Sequence, residues 1–282
     1  MKDMRNSIAV REGKNTELML RYAAEAGFRE VMIGFGESGM FLRSDYEREV
    51  EKIAEWLARF GLSCGQTHLP CYHLTVSSEI TNEETELSIR RAIRASAALG
   101  AGWTAFHPRT SVTGGYSRTV SFSDNLAILE SYLEVAEECG VGIAVENMPL
   151  YPRTNAFWRF FGGGWEELCE LCDRLCSDKI GICWDFGHAH TAELDQAAAL
   201  RDIGSRLKMT HVHDNTRSGD HHQLPGLSDP QWGSIDWQKA IGALREIGYS
   251  GSLALEVIDP PLSMYGNFMR LAYDSLEYIK GL

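Results

Sequence analysis

At 282 residues, with 44% hydrophobic and 23% charged side chains, the chain carries enough apolar material for a full core, and its length suits one domain of barrel size. The formal net charge of −12 and pI near 5.2 argue against a broad phosphate-binding face, so the expected partner is a small molecule rather than a nucleic acid. The start, MKDMRNSIAVREG, has no apolar leader segment, no window approaches the roughly 20 apolar residues of a membrane span, and seven scattered cysteines form no disulfide framework. A cytoplasmic protein without membrane contact is the expectation.

Short β-rich runs alternate with longer segments of helical periodicity, the pattern of a parallel sheet with crossover helices. Strands are predicted at 7–10, 30–35, 62–68, 102–107, 141–146, 180–185, 207–212 and 252–257. Helices are predicted at 16–27, 45–61, 84–100, 124–140, 236–251 and 267–281, each closing near a glycine. In WEELCELCDRLCSD, spacings of three and four put Cys169, Cys172 and Cys176 on one helical face with Leu168 and Leu175, where free cysteines pack as small apolar groups. Eight strands close a barrel, so the chain is read as α/β, a (β/α)8 TIM barrel forming a single domain over residues 1–282. Two longer loops, Pro149 to Gly164 and Asp214 to Gly233, follow strands that end in donor residues and should cover one rim. The first is rich in aromatics (Tyr151, Phe157, Trp158, Phe160, Phe161, with Arg153 and Arg159) and is read as a substrate lid, with a homodimer contact as the alternative.

Three equal steps of 39 residues link His68, His107, Glu146 and Asp185, each the last residue of a short apolar run, and His211 and Glu256 close LKMTH and GSLALE in the same way. A carboxylate ending a buried strand is rare unless it is paired or metal-bound. Glu146, Asp185 and Glu256 converging without a cation would repel and raise one another's pKa. A divalent metal resolves the conflict, with His211 as the nitrogen ligand, and the set suits Mn2+, Mg2+ or Co2+ at least as well as Zn2+. His190, His213 and His221 are read as supporting or surface residues, and His73 carries no assigned role.

HLP (68–70), FHP (106–108), VEN (145–147), DFGH (185–188), HVHD (211–214), DHH (220–222) and LEV (255–257) together resemble the xylose-isomerase-like TIM-barrel superfamily, which includes sugar and sugar-phosphate isomerases and epimerases and the endonuclease IV family. The resemblance spans nearly the whole chain. It implies, from the ketose 3-epimerase branch, one metal held by Glu146, Asp185, His211 and Glu256, proton exchange by Glu146 and Glu256 through a metal-stabilised enediolate, and substrate contacts from His188 and Arg217. From the endonuclease IV branch it implies a nine-ligand set for three zinc ions, adding His68, His107, His188, Asp220 and His222. The acidic surface, and the absence of lysine from the second long loop, favour the isomerase or epimerase over a zinc phosphodiesterase; a polyol dehydratase and a non-catalytic sugar sensor stay open. No glycine-rich phosphate cradle stands out, so no organic cofactor and a non-phosphorylated carbohydrate are expected.

Overall fold

The computed structural model describes residues 4–36, 39–71, 75–76, 82–111, 116–150, 159–226 and 234–282. Eight strands close into a parallel barrel: β1 (Arg5–Arg11), β2 (Glu30–Gly34), β3 (Ser63–His68), β4 (Trp103–Phe106), β5 (Gly142–Glu146), β6 (Ile180–Asp185), β7 (Leu207–Val212) and β8 (Ser252–Leu255). Each pairs with its chain neighbours, and β8 returns to β1, Ser252 lying opposite Arg5. The fold is the expected (β/α)8 barrel. A two-residue ribbon, Thr75–Val76 against Thr110–Ser111, stands outside it.

Helices α1 (Thr16–Ala26), α2 (Tyr46–Phe60), α3 (Asn82–Ala98), α4 (Arg118–Cys139), α5 (Trp165–Leu175), α8 (Trp237–Glu246) and α9 (Tyr265–Lys280) cover the strands. In α2 the buried residues Val50, Ile53 and Leu57 recur three and four apart and face the sheet. Gly61 then ends the helix at φ 65, its N–H bonding back to the last turn, a conformation costly to a residue with a Cβ. α4 starts six residues before its predicted boundary, because Ser117 caps it by accepting a hydrogen bond from Val120 N–H. Between β6 and β7 the crossover is split into α6 (Phe186–Thr191) and α7 (Gln196–Ile203), which the periodicity does not announce.

Side-chain alternation divides the interior in two. The sheet-to-helix layer holds the large core, including fully buried Phe28, Phe35, Phe41, Tyr132 and Trp184. Burying side chains of this size contributes about 1.5–3 kcal/mol each. The lumen holds a separate small cluster of Ala105, Ala144, Cys183 and Met209.

Two expectations are corrected. Cys172 is buried and Cys169 partly so, but Cys176 is exposed: it stands beyond α5, capping it at φ 48, and is off the helical face. Phe161 anchors its loop instead of covering a pocket, being fully buried with its N–H donating to Thr110 Oγ1 at 2.8 Å. Tyr151, Arg153, Phe157, Trp158 and His73 lie outside the described residues. Among the described residues no helix is long and apolar enough to cross a membrane.

Candidate active site

One local device delivers the six strand-end donors. Because strand side chains alternate, the residue two before each donor also faces the lumen: Gln66 before His68, Ala105 before His107, Ala144 before Glu146, Cys183 before Asp185, Met209 before His211 and Ala254 before Glu256. The small lumen cluster is therefore the floor, and the donors form the layer above it at the C-terminal mouth.

The DFGH segment shows how the chain fixes this layer. Asp185 ends β6 and caps α6, its Oδ1 accepting from His188 N–H at 2.7 Å, while Phe186 packs on Trp237. Gly187 leaves room for the His213 ring, which a Cβ there would overlap. Asn147, next to Glu146, ties β5 to β6 by donating to the Asp185 carbonyl at 2.9 Å and accepting from Asp185 N–H at 2.7 Å. Its own carbonyl accepts from His188 Nδ1 at 2.8 Å.

At the centre, Glu146, Asp185, His211 and Glu256 each bring a donor atom within 4.8 Å of the other three. His211 Nδ1 lies 3.1 Å from Glu146 Oε1, 3.2 Å from Glu256 Oε2 and 3.9 Å from Asp185 Oδ2. Glu146, Asp185 and His211 are fully buried. Despite the short distances, neither oxygen of Glu146 and neither nitrogen of His211 has a partner in hydrogen-bond geometry. Buried polar atoms that crowd without bonding one another are expensive, and a divalent cation among the four side chains would satisfy the facing pair, Glu146 Oε1 and His211 Nδ1. The donor set of three carboxylates and one imidazole fits such an ion.

Two further clusters flank this centre. On one side, His68 Nε2 and His107 Nε2 lie 3.3 and 3.2 Å from Glu146 Oε2 and 3.2 Å from each other, and Cys71 Sγ is 3.8 Å from His68 Nδ1. On the other, Asp220 Oδ2 is 3.2 Å from His188 Nε2 and 3.0 Å from His222 Nε2, and Asp220 Oδ1 is 3.5 Å from His213 Nε2. His222 adopts φ 47, unusual for a side chain of its size, with Nδ1 donating to the Glu256 carbonyl at 2.6 Å. His213 joins this cluster to the centre through Asp185 Oδ1 at 3.0 Å, and its ring stacks on His222 at 4.0 Å.

Without a cation, the imidazoles reverse the expected direction of the carboxylate pKa values. Burial opposes charge at every group here, yet His211 and His107 outweigh it at Glu146 and hold that carboxyl well below its usual range. His211 does the same for Glu256, and His188 and His222 for Asp220. In return Asp185 and Asp220 hold His188 up at about 10, Cys71 and Glu146 hold His107 at about 9, and Asp220 and Glu256 hold His222 at about 9, in each case against burial. The histidines interleaved with the carboxylates thus reverse the upward shift expected from carboxylate repulsion alone.

All nine residues of the larger ligand set thus meet at one mouth. Arg217 stands apart: at φ 66 it turns its Nε to donate to His190 Nε2 at 3.3 Å, in a cavity of about 270 Å³ shared with Asp195, Ser234, Asp236 and Lys239. His190 and His213 are buried, and His221 is half-buried. Sequence reasoning missed Cys71, Asn147 and the link that His213 makes. Asn147 had a visible signal, an amide directly after a strand-end carboxylate; Cys71 had none.

A family model described as "Xylose isomerase-like TIM barrel" matches residues 20–282. An uncharacterized protein of Methanocaldococcus jannaschii is 31% identical over 195 residues, 67% of this chain and 62% of that protein. A D-psicose 3-epimerase of Enterocloster bolteae is 28% identical over 128 residues, 45% of this chain and 37% of that enzyme. The chain therefore spans less than two thirds of either relative. Among solved structures, a D-tagatose 3-epimerase-like protein superposes with a TM-score of 0.74 at 22% identity, covering 100% of this chain and 99% of that one, a likeness of fold.

Proposed function

The chain belongs to the xylose isomerase-like TIM barrel family, and from that premise we propose that it is a divalent-metal-dependent isomerase or epimerase of a sugar, sugar phosphate or keto-polyol. The observation that carries this reading is geometric: two carboxylates, Glu146 from β5 and Glu256 just after β8, stand 3.1 and 3.2 Å from the same imidazole nitrogen of His211 at the open end of the barrel. Glu146, Asp185, His211 and Glu256 would hold the cation, which when bound supplies Lewis acidity toward a substrate carbonyl.

The protein's own part is proton transfer. One glutamate takes the proton from the carbon beside the carbonyl, and the C–H electron pair moves toward the carbonyl oxygen to give an enediolate. The other glutamate, which must first take a proton from a neighbouring imidazolium to enter as the carboxylic acid, returns that proton to the opposite face of the carbon, and the pair finishes with protonation exchanged. That outcome is epimerisation; return of the proton to the adjacent carbon is isomerisation. His188, oriented by the Asn147 carbonyl, would bind a substrate oxygen, and Arg217 would do so after turning from His190. The test is solvent deuterium exchange into a ketohexose such as D-psicose, followed by NMR. Glu146→Gln and Glu256→Gln should each slow exchange by about 10²–10⁴. Undiminished exchange in both variants would refute the reading.

The two flanking clusters favour a second reading, a multinuclear zinc phosphodiesterase. Three zinc ions per chain with cleavage of abasic DNA would support it; one ion per chain without cleavage supports the isomerase. The net charge of −12 weighs against a DNA substrate.

A further inference from the structure

We propose that Gln66 is a positioning residue for the central site: its amide spans the barrel lumen from β3 to β7 and fixes where His211 stands. Given the metal-dependent reading above, on which this role rests, Gln66 acts from one layer below the donors. Of the six residues that stand two before a strand-end donor, five are Ala, Cys or Met, and Gln66 alone carries a polar amide. A buried amide with nothing to bond is costly, so a glutamine in this floor implies a partner. The partner is on the far side of the ring. Gln66 is 3% exposed, and its Nε2 donates to the Thr210 carbonyl at 3.3 Å, with Met32 Sδ 3.5 Å away. β3 and β7 are diametrically opposed in the closed order of strands, so this bond crosses the barrel instead of running along the sheet.

Both ends of the strut sit beside a β-bulge. Val31 pairs with Cys64 and Met32 with Gln66, which leaves Gly65 as the extra residue of β3. Ile182 pairs with Leu207 and Cys183 with Met209, which leaves Lys208 as the extra residue of β7. Bulges re-aim the side chains that follow them. Each is followed three positions later by a histidine, His68 and His211, and the two rings stack at 5.5 Å with planes 22° apart. Gly65 also leaves the space that the Glu30 side chain fills. Glu30 accepts from Ser252 Oγ, the Ser252 carbonyl accepts from Thr210 Oγ1 at 2.7 Å, and the Thr210 carbonyl holds Gln66. These contacts brace β3, β2, β8 and β7 against one another beneath the donors. His211 follows Thr210 directly, so the strut fixes the backbone that aims its Nδ1 at Glu146 and Glu256, 3.1 and 3.2 Å away. Metal ligands have to be held within about 0.5 Å of their productive geometry, which an unbraced strand does not ensure.

The experiment uses the metal-free full-length protein and two substitutions. Gln66→Met keeps the length of the side chain and removes the donor, whereas Gln66→Asn keeps the amide and is one methylene too short to cross. Each should bind Co2+ about 10–100-fold more weakly by titration calorimetry, the range for outer-shell partners of metal ligands, and should shift the d–d absorption bands of the bound ion. Tyr132→Phe removes a hydrogen bond to Glu86 at 2.9 Å in the sheet-to-helix layer and controls for lost stability; its affinity and spectrum should match the wild type. Wild-type affinity in both Gln66 variants, or an equal loss in Tyr132→Phe, overturns the proposal. A second readout uses the wild type alone. By NMR the Gln66 side-chain NH2 should exchange with solvent as slowly as the backbone N–H groups of β3, and exchange at the rate of an exposed glutamine amide also overturns it. That readout involves neither cation nor turnover, so failure of the strut is distinguishable from failure of the proton-transfer chemistry.

Discussion

Gly187→Ala tests whether the His213 ring holds the site together. Gly187 lies in α6, where alanine is the better helix former by up to about 1 kcal/mol, so propensity alone would make the variant more stable. The added Cβ, however, overlaps the His213 ring, which is fully buried. Overpacking of this kind costs about 1–3 kcal/mol. Moving the ring also breaks the hydrogen bond between its Nε2 and Asp185 Oδ2 at 3.2 Å, and a hydrogen bond to a carboxylate contributes about 1.5–3 kcal/mol. The net expectation is a loss of about 2–4 kcal/mol, a large fraction of the 5–15 kcal/mol typical of a domain, or roughly 2 °C in Tm per kcal/mol at this length. Urea and thermal unfolding of the metal-free protein measure it. In a His213→Ala background the same substitution should cost nothing, because the clashing ring is gone. A Gly187→Ala variant within about 0.5 kcal/mol of wild type, or an equal cost in both backgrounds, would refute the reasoning.

Other outcomes follow from neighbouring contacts. Asn147→Ala removes the amide that orients Asp185 in both directions and should weaken metal binding about 10–100-fold by titration calorimetry; unchanged affinity would show that the β5–β6 tie is dispensable. Asp214 is fully buried and accepts from Asn215 N–H, Ile235 N–H and Trp237 Nε1–H at 2.9, 3.1 and 3.0 Å, so Asp214→Ala should cost about 3–5 kcal/mol in urea unfolding, and a cost under about 1 kcal/mol would contradict its role as the clasp of the second long loop. The metal-free protein should be most stable near pH 5–6.5. The raised histidines contribute stability fully below 6.5 and lose it as pH rises through about 9 for His107 and His222 and about 10 for His188, while the depressed Glu146, Glu256 and Asp220 lose theirs as pH falls below the ordinary carboxylate range. A Tm that climbs between pH 7 and 10 in chelator would be inconsistent with that sign. Metal-loaded protein should not share the alkaline loss, since its ligands must be deprotonated.

The position of each strand-end donor was readable because it follows from a strict local rule. A polar residue ending an apolar run is at the strand terminus, and a period of two puts it on the same side as the small residue two before it, as with Ala144 and Glu146 or Cys183 and Asp185. The same logic fails for Cys176, one residue past the end of α5, where helical spacing no longer governs direction. It also fails for Arg217 and Phe161, which lie in loops whose paths no periodicity encodes.

The amino-acid sequence by itself determined the eight-strand ring, the order of its elements and the residues that end its strands, since burial and alternation act within each segment. Only the tertiary structure decided how those residues share one another. That Glu146 divides its two oxygens between His211 and the His68–His107 pair, that His213 occupies the space Gly187 leaves and reaches Asp185, and that Cys71 returns to the mouth are contacts between segments distant along the chain. Such contacts depend on barrel closure, strand stagger and loop path acting together. Local hydrophobic pattern carries no record of them, because each is fixed by where a second strand ends.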